Sequence, residues 1–285
     1  MDFLQAVVNG LLIGGVYAVI SIGLTLVFGV MSIVNFAQAE FLMIGMYVGY
    51  YCWEYLGLDP IPGALVAFGV VFVIGVLIQR FLIERVINAP EVAQIFLTVG
   101  LLIVLENLAL VLFGSEFKSV RTSYQTSAVN LGGLIVSLPY LFAFGISVVV
   151  GIGLWAFMRF TWIGQAMRAT AQNGIAALSL GIDVKRVRQL AFGLGVGLTG
   201  LGGSVILPYY TASPTAGGQF AVLMFTVVVL GGLGSVLGAV FGGLAVGVIQ
   251  SVSTLFMPIQ LQNLALFVVF IAMLAVRPQG LLATK

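Results

Sequence analysis

RFTWIGQAMRATAQNGIAALSLGIDVKRVR, residues 159–188, is the long polar stretch of this chain, and it decides the fold. It holds Arg159, Arg168, Lys185, Arg186 and Arg188, five of the eleven cations, against a single acid, Asp183. Directly after it, residues 189–276 run for 88 positions without one charged side chain. Hydrophobic residues are 61% of the 285-residue chain and charged residues 7%, where a soluble domain carries roughly 25% charged residues. Such a chain cannot solvate the surface of a globule in water; lipid can solvate it. A span takes about 20 mostly apolar residues. The expected fold is therefore an all-α polytopic membrane protein of about eight or nine transmembrane helices. It forms one transmembrane domain over 1–285, with a first half (1–158), a cytoplasmic segment (159–188) and a second half (189–285).

Composition also excludes whole classes. The net charge of +2 is too small to imply a nucleic-acid partner. Cys52 is the only cysteine, which excludes an intramolecular disulfide and a cysteine-cluster metal site. The chain has no histidine, so zinc sites of the histidine type and Ser-His or Cys-His catalysis fall away. No catalytic and no metal-ligating residues are assigned. The opening MDFLQAVV lacks a basic n-region and a cleavage site, and is expected to be mature chain.

Outward from the basic segment, the positive-inside rule sets the topology. Residues 3–34 cross first, with Gly10 and Gly14 at small-xxx-small spacing. The run breaks at VNFAQAE (34–40), and Tyr47, Tyr50, Tyr51, Trp53 and Tyr55 then suggest an interfacial aromatic belt. LGLDPIPG (56–63) is a turn. Residues 61–79 span again and stop at the basic loop around Arg80 and Arg85. Residues 92–113 cross outward to a polar, partly β-like external loop, 114–137, whose Lys118 and Arg121 lie on the wrong side for the rule. Residues 138–158 return to the cytosol. The uncharged run after Arg188 has room for four crossings, ending about 259–276 before Arg277. This count gives nine crossings and an external N-terminus, or eight if 35–40 or 231–235 is re-entrant.

Each half contains one apolar stretch interrupted by polar or glycine residues, 35–40 and 231–235. Paired interruptions point to a transporter's midplane site, because broken helices expose backbone groups to a solute, and they raise an inverted repeat as a hypothesis. Several features keep two readings. Glu40 is either a membrane carboxylate or an acid stabilising a helix start. Glu106, beside Asn107, is a functional carboxylate or part of an interhelical hydrogen bond. The glycine-rich run 231–247, with Gly234, Gly238 and Gly242 spaced by four and Gly243 and Gly247 likewise, serves helix packing or, at 231–235, backbone exposure. LGGLGS is not a phosphate loop and no Walker pattern occurs, so any driving ATP binds another chain. Within 159–188, Ala166, Ala169, Ala171, Ala176 and Ala177 alternate with Gln165, Arg168, Gln172 and Asn173. That pattern gives a short amphipathic helix broken at Gly174, then a second turn to Gly181. It is either a membrane-surface helix or an element that plugs into a soluble subunit.

Residues 14–47, GGVYAVISIGLTLVFGVMSIVNFAQAEFLMIGMY, resemble the opening of the LivH-type permeases of bacterial branched-chain amino-acid ABC importers. The family's pattern is close to Asn-Phe-Ala-His-Gly-Glu; Gln38 and Ala39 stand here in place of His and Gly. RATAQNGIAALSLGIDVKRVRQLAF (168–192) is similar to the family's coupling segment, with Gln172 and Asn173 where an acidic pair is common. VVVLGGLGSVLGAVFGG (227–243) and VRPQGLLA (276–283) are similar to its second glycine block and its ending. The resemblance implies a multi-pass permease of the bacterial inner membrane, not an enzyme. Its partners would be a second related permease, two ATPases carrying ATP and magnesium, an extracytoplasmic solute-binding protein and the lipid bilayer. It places the substrate path at Asn35, Phe36, Gln38, Glu40, Gly231, Gly232, Gly234 and Ser235. It places ATPase coupling at Arg168, Ala169, Ala171, Gln172, Asn173 and Gly181. No cofactor is expected on this chain. A urea or short-amide permease is the neighbouring alternative. An ion-coupled secondary carrier is the rival of another class, and an intramembrane enzyme finds no paired nucleophile and base.

Overall fold

The computed structural model describes residues 2–258, 261–277 and 280. The expected start of the last span at 259 and most of the VRPQGLLA ending lie outside the described residues. α1 (Asp2–Met31) is long because, after Asp2, nothing in it is charged and nothing is proline. It ends where Ser32 takes a left-handed φ of 55° and donates its amide to the Phe28 carbonyl. Residues 32–37 are not helical. α2 (Gln38–Leu56) ends at Gly57, whose φ of 63° suits a residue without a Cβ. Asp59 caps α3 (Pro60–Ile78) by accepting from the Ile61 amide. A π turn (Gln79–Ile83) and α4 (Glu84–Val86) prolong the same rod, so this span runs beyond Arg80, where the sequence predicts its end.

α5 (Glu91–Phe113) leads to an antiparallel hairpin of β1 (Ala128–Leu131) and β2 (Leu134–Ser137), in line with the β-like character expected there. α6 (Leu138–Phe160) follows. The polar segment folds as α7 (Trp162–Gln172) and α8 (Gly174–Ser179). Four helices then fill the uncharged run: α9 (Val184–Ile206), α10 (Ala216–Gly231), α11 (Val236–Ser253) and α12 (Gln262–Val276). Among the described residues, six rods are long and apolar enough to cross a membrane, and α10 and α12 are shorter apolar helices.

Contacts sort the loops to two ends. At one end, Gln5 exchanges side-chain hydrogen bonds with the Ile135 backbone (2.6 and 2.8 Å), Tyr124 donates to Asp59 Oδ1 (2.7 Å), and Lys118 bridges Ala212. Burial, then the hydrogen bond to Asp59, pushes the Tyr124 phenol pKa upward. At the other end, Met31, Ile33, Ile83, Met167 and Val187 form one cluster. That second end carries Arg80, Arg85, Arg277 and the five cations of 159–188, leaving only Lys118 and Arg121 of the described cations at the first. The basic end is the one that the positive-inside rule predicts to face the cytosol, and the N-terminus lies at the opposite end.

Glycines set the packing. Gly10 and Gly14 of α1 face Gly247 and Gly243 of α11, so the two small-residue rows noted in sequence meet each other. Gly193, Gly197 and Gly200 of α9 receive Phe72 and Val76, Phe68 and Val71 of α3. Gly45 of α2 lies on the Gly200 backbone. Two sequence expectations change. Tyr47 does not belong to the aromatic belt: it is fully buried and stacked on Phe113 at 4.1 Å, whereas Tyr55 is 77% exposed. The stretches 35–40 and 231–235 also differ in kind. The second is a turn between antiparallel helices, with Gly231 against Gly238 and Gly242 against Val227.

Candidate functional site

The segment 32–37 breaks the helical ladder between α1 and α2, and side chains take up some of the freed backbone groups, Asn35 at the Ala37 amide and Thr98 of α5 at the Val34 carbonyl. Asn35 is fully buried; its Oδ1 accepts from the Ala37 amide, and its Nδ2 donates to Gln38 Oε1 at 3.0 Å. Gln38, 1% exposed, donates through Nε2 to Thr199 Oγ1 at 2.8 Å and to the Gly195 carbonyl at 3.4 Å. Thr199 in turn donates to the Ile20 carbonyl at 3.1 Å. A closed polar network thus ties the start of α2 to the middles of α9 and α1. Gly23 and Gly195 have the room for this: a Cβ on either would collide with the other helix.

Along this segment Ile33, Asn35 and Ala37 are buried, while Val34 and Phe36 are half-buried. Phe36 meets Phe225 of α10 with centroids 5.3 Å apart. Glu40 lies in the first turn of α2, as a helix-start acid should, yet it is 1% exposed and its Oε2 has no hydrogen-bond partner among the described residues. It rests against Gly217 at the start of α10, where a Cβ would strike the carboxylate. Glu106 on α5 is half-buried. Asn107 beside it donates to its own helix, at the Ile103 carbonyl.

The glycine residues sit elsewhere. Gly232 (φ 105°) and Gly234 (φ 84°) make the α10–α11 turn, and Ser235 Oγ caps α11 by accepting from the Gly238 amide. Gly234 approaches Gly29 of α1, and Gly232 approaches Gly280. Hence Asn35, Phe36, Gln38 and Glu40 gather on α1, α9 and α10, whereas Gly231, Gly232, Gly234 and Ser235 gather at the basic end.

In the polar segment, α7 buries Gly164, Ala166, Met167 and Thr170 against the bundle. Ala169 is half-buried, and Arg168, Ala171 and Gln172 face outward. Asn173 Oδ1 accepts from the Ile175 and Ala176 amides, so it both stops α7 and starts α8. Gly181, at φ 83°, closes α8 with its amide on the Leu178 carbonyl. Three aliphatic residues that the sequence left unremarked stand out here: Ile175 (81% exposed), Leu178 (63%) and Leu180 (81%). Thr199 and Gly217 were also unmarked; the signal for Thr199 was a hydroxyl within an otherwise glycine-rich apolar span. Among the described residues no group of three or more potential metal ligands occurs.

A family model described as branched-chain amino acid transport system / permease component matches residues 6–276. The chain is 30% identical to the high-affinity branched-chain amino acid transport system permease protein BraD of Pseudomonas aeruginosa, over 98% of this chain and 95% of that one. It is 30% identical to the corresponding LivH of Escherichia coli, with the same coverage. The ribose import permease protein RbsC of Bacillus subtilis is 26% identical over 87% of this chain and 74% of that one. In fold, the chain matches one of PsaBC from Streptococcus pneumoniae in complex with Fab, with a TM-score of 0.54 at 15% identity, covering 98% of this chain and 93% of the other.

Proposed function

The chain belongs to the permease-component family of branched-chain amino acid transport systems, and from that premise we propose that it forms half of the translocation path of an ATP-driven importer for these amino acids. The importer resides in the bacterial inner membrane. A second, related permease completes the path, two soluble ATPases bind ATP and magnesium, and an extracytoplasmic protein delivers solute. The observation that carries the coupling role is the apolar tip of α8. Ile175, Leu178 and Leu180 are exposed at the basic end, on a segment flanked by Arg168, Lys185 and Arg186. Exposed aliphatic residues among polar ones mark a surface that another protein covers.

Force entering at α8 has a short way to the solute. Asp183 caps α9 directly after α8, accepting from the Arg186 amide. Along the same helix, Thr199 holds Gln38. A shift of α9 therefore moves the first turn of α2, and with it Phe36 and Glu40. These two, with Asn35 and Gln38 behind them, are the wall of the path in this reading. The turn 231–235 forms its cytosolic end, where helix termini offer backbone groups to a polar solute.

The test replaces Ile175 and Leu180 together by aspartate. ATP-driven leucine uptake into vesicles holding the full complex falls at least about tenfold, as loss of two buried anchors implies, and the ATPases no longer co-purify. The amount of inserted permease stays the same. Normal uptake by a correctly inserted variant overturns the coupling role.

A further inference from the structure

Between α1, α6 and α11 runs a groove of about 710 Å³ that opens sideways through Val148, Ile152, Trp155 and Leu237. Its lining is apolar from Phe144 down to Trp155. The one hydroxyl there, Ser147, is engaged with the Ala143 carbonyl at 2.8 Å, so the walls offer nothing to a peptide or a polar solute. At the basic end the character changes abruptly. Arg159 and Arg168 line the groove together, and among the described residues neither has a carboxylate within 4 Å. Arg159 lies over the Trp155 ring, 5.4 Å from its centroid, which holds the guanidinium at the mouth.

The dimensions match one leaflet. Phe144 and Trp155 are eleven residues apart on one helix, or about 16 Å at 1.5 Å per residue. Half of a hydrocarbon core is about 15 Å. A tryptophan at the lower limit of the apolar stretch marks the headgroup level. The two guanidinium groups that line this end are the donors that bind phosphate oxygens, and basic pockets between transmembrane helices on the cytosolic side suit anionic headgroups. We propose that this groove binds an anionic phospholipid of the cytosolic leaflet, one acyl chain lying along α6 and the phosphate held by Arg159 and Arg168. The occupant would connect the bundle to α7, and so to the segment that couples to the ATPases. The groove does not include Asn35 or Gln38, and it meets the proposed solute path only at Gly234 of the 231–235 turn.

The experiment uses the full chain in its assembled importer, in nanodiscs of equal phosphatidylglycerol and phosphatidylcholine, with retained lipid read by native mass spectrometry. Phosphatidylglycerol is retained over phosphatidylcholine by roughly tenfold, as charge-assisted hydrogen bonds imply. Arg159→Gln with Arg168→Gln brings the ratio close to one. Gly151→Phe lowers retention of both lipids, because a Cβ at Gly151 meets nothing within 4 Å and the ring can fill the groove without disturbing the fold. Equal retention of the two lipids by the native protein overturns the proposal, as does an unchanged preference in the double arginine variant. Efficient crosslinking of a cysteine at Ile152 to the second permease also overturns it, since a protein then occupies the groove.

Discussion

α1 and α6 are both long apolar rods with several glycines, yet they occupy opposite situations. In its most apolar stretch α1 is 78% buried, and α9 83%; α6 is 17% buried and α5 22%. The difference lies in what the glycines face. Those of α1 and α9 touch neighbouring helices: Gly10 meets Val248, Gly14 meets Leu244, Gly195 meets Gly23. Gly100 of α5 and Gly145, Gly151 and Gly153 of α6 meet nothing within 4 Å. Hydropathy says that a helix crosses; it does not say whether the helix faces protein or lipid. In lipid no hydrophobic force draws helices together, so close backbone approach is what sorts inner helices from outer ones.

The sharpest way to break this contrast is Gly45→Val. Its side chain would enter the Gly200 backbone, which cannot yield as a flexible side chain would. Overpacking of this sort costs about 3 kcal/mol, and the variant should lose its cooperative thermal transition in detergent. A transition like that of the native protein would show that α2 and α9 can separate freely. A smaller loss is expected for Thr199→Val, which removes the acceptor for Gln38 and the donor to Ile20. An unmade buried hydrogen bond costs about 1–3 kcal/mol. Adding Gln38→Leu should then cost less than it does in the native background, where it breaks the bond to Thr199 as well as that to Asn35, and a double-mutant cycle in denaturant measures the coupling. Additive losses would mean that the two side chains act independently. The smallest effect, of opposite sign, belongs to α6: Gly145→Ala should leave the fold intact and add up to about 1 kcal/mol through helix propensity. A marked loss of stability there would mean that α6 is covered after all.

Much of this architecture is legible in the sequence. The charge desert after Arg188 holds four helices, as its length requires, and the small-residue spacings at Gly10 and Gly14 and at Gly243 and Gly247 turned out to be two sides of one contact. The break expected at Gly174 falls one residue earlier, at Asn173, whose side chain caps α8, and Gly174 is the first residue of that helix. Other features depended on partners distant in sequence. Nothing local distinguishes Tyr47, buried on Phe113, from Tyr55 at the surface. The glycines of 231–235 look like a broken helix because a tight helical hairpin and an interruption use the same residue. Asn35 and Gln38 were noticed as polar, and polarity alone cannot say whether a side chain faces a passing solute or, as here, its own backbone and Thr199. Likewise Ile175, Leu178 and Leu180 are ordinary apolar residues until their exposure is seen.

The bond from Gln38 to Thr199 joins positions 161 residues apart. A ribosome adding about 5–20 residues per second takes roughly 10–30 s to make that interval. Throughout that time the beginning of α2 has been synthesised while the hydroxyl it needs has not. The amino-terminal portion therefore enters the bilayer with an unfinished seam, and its final shape waits on the arrival of a helix from the far side of the polar segment.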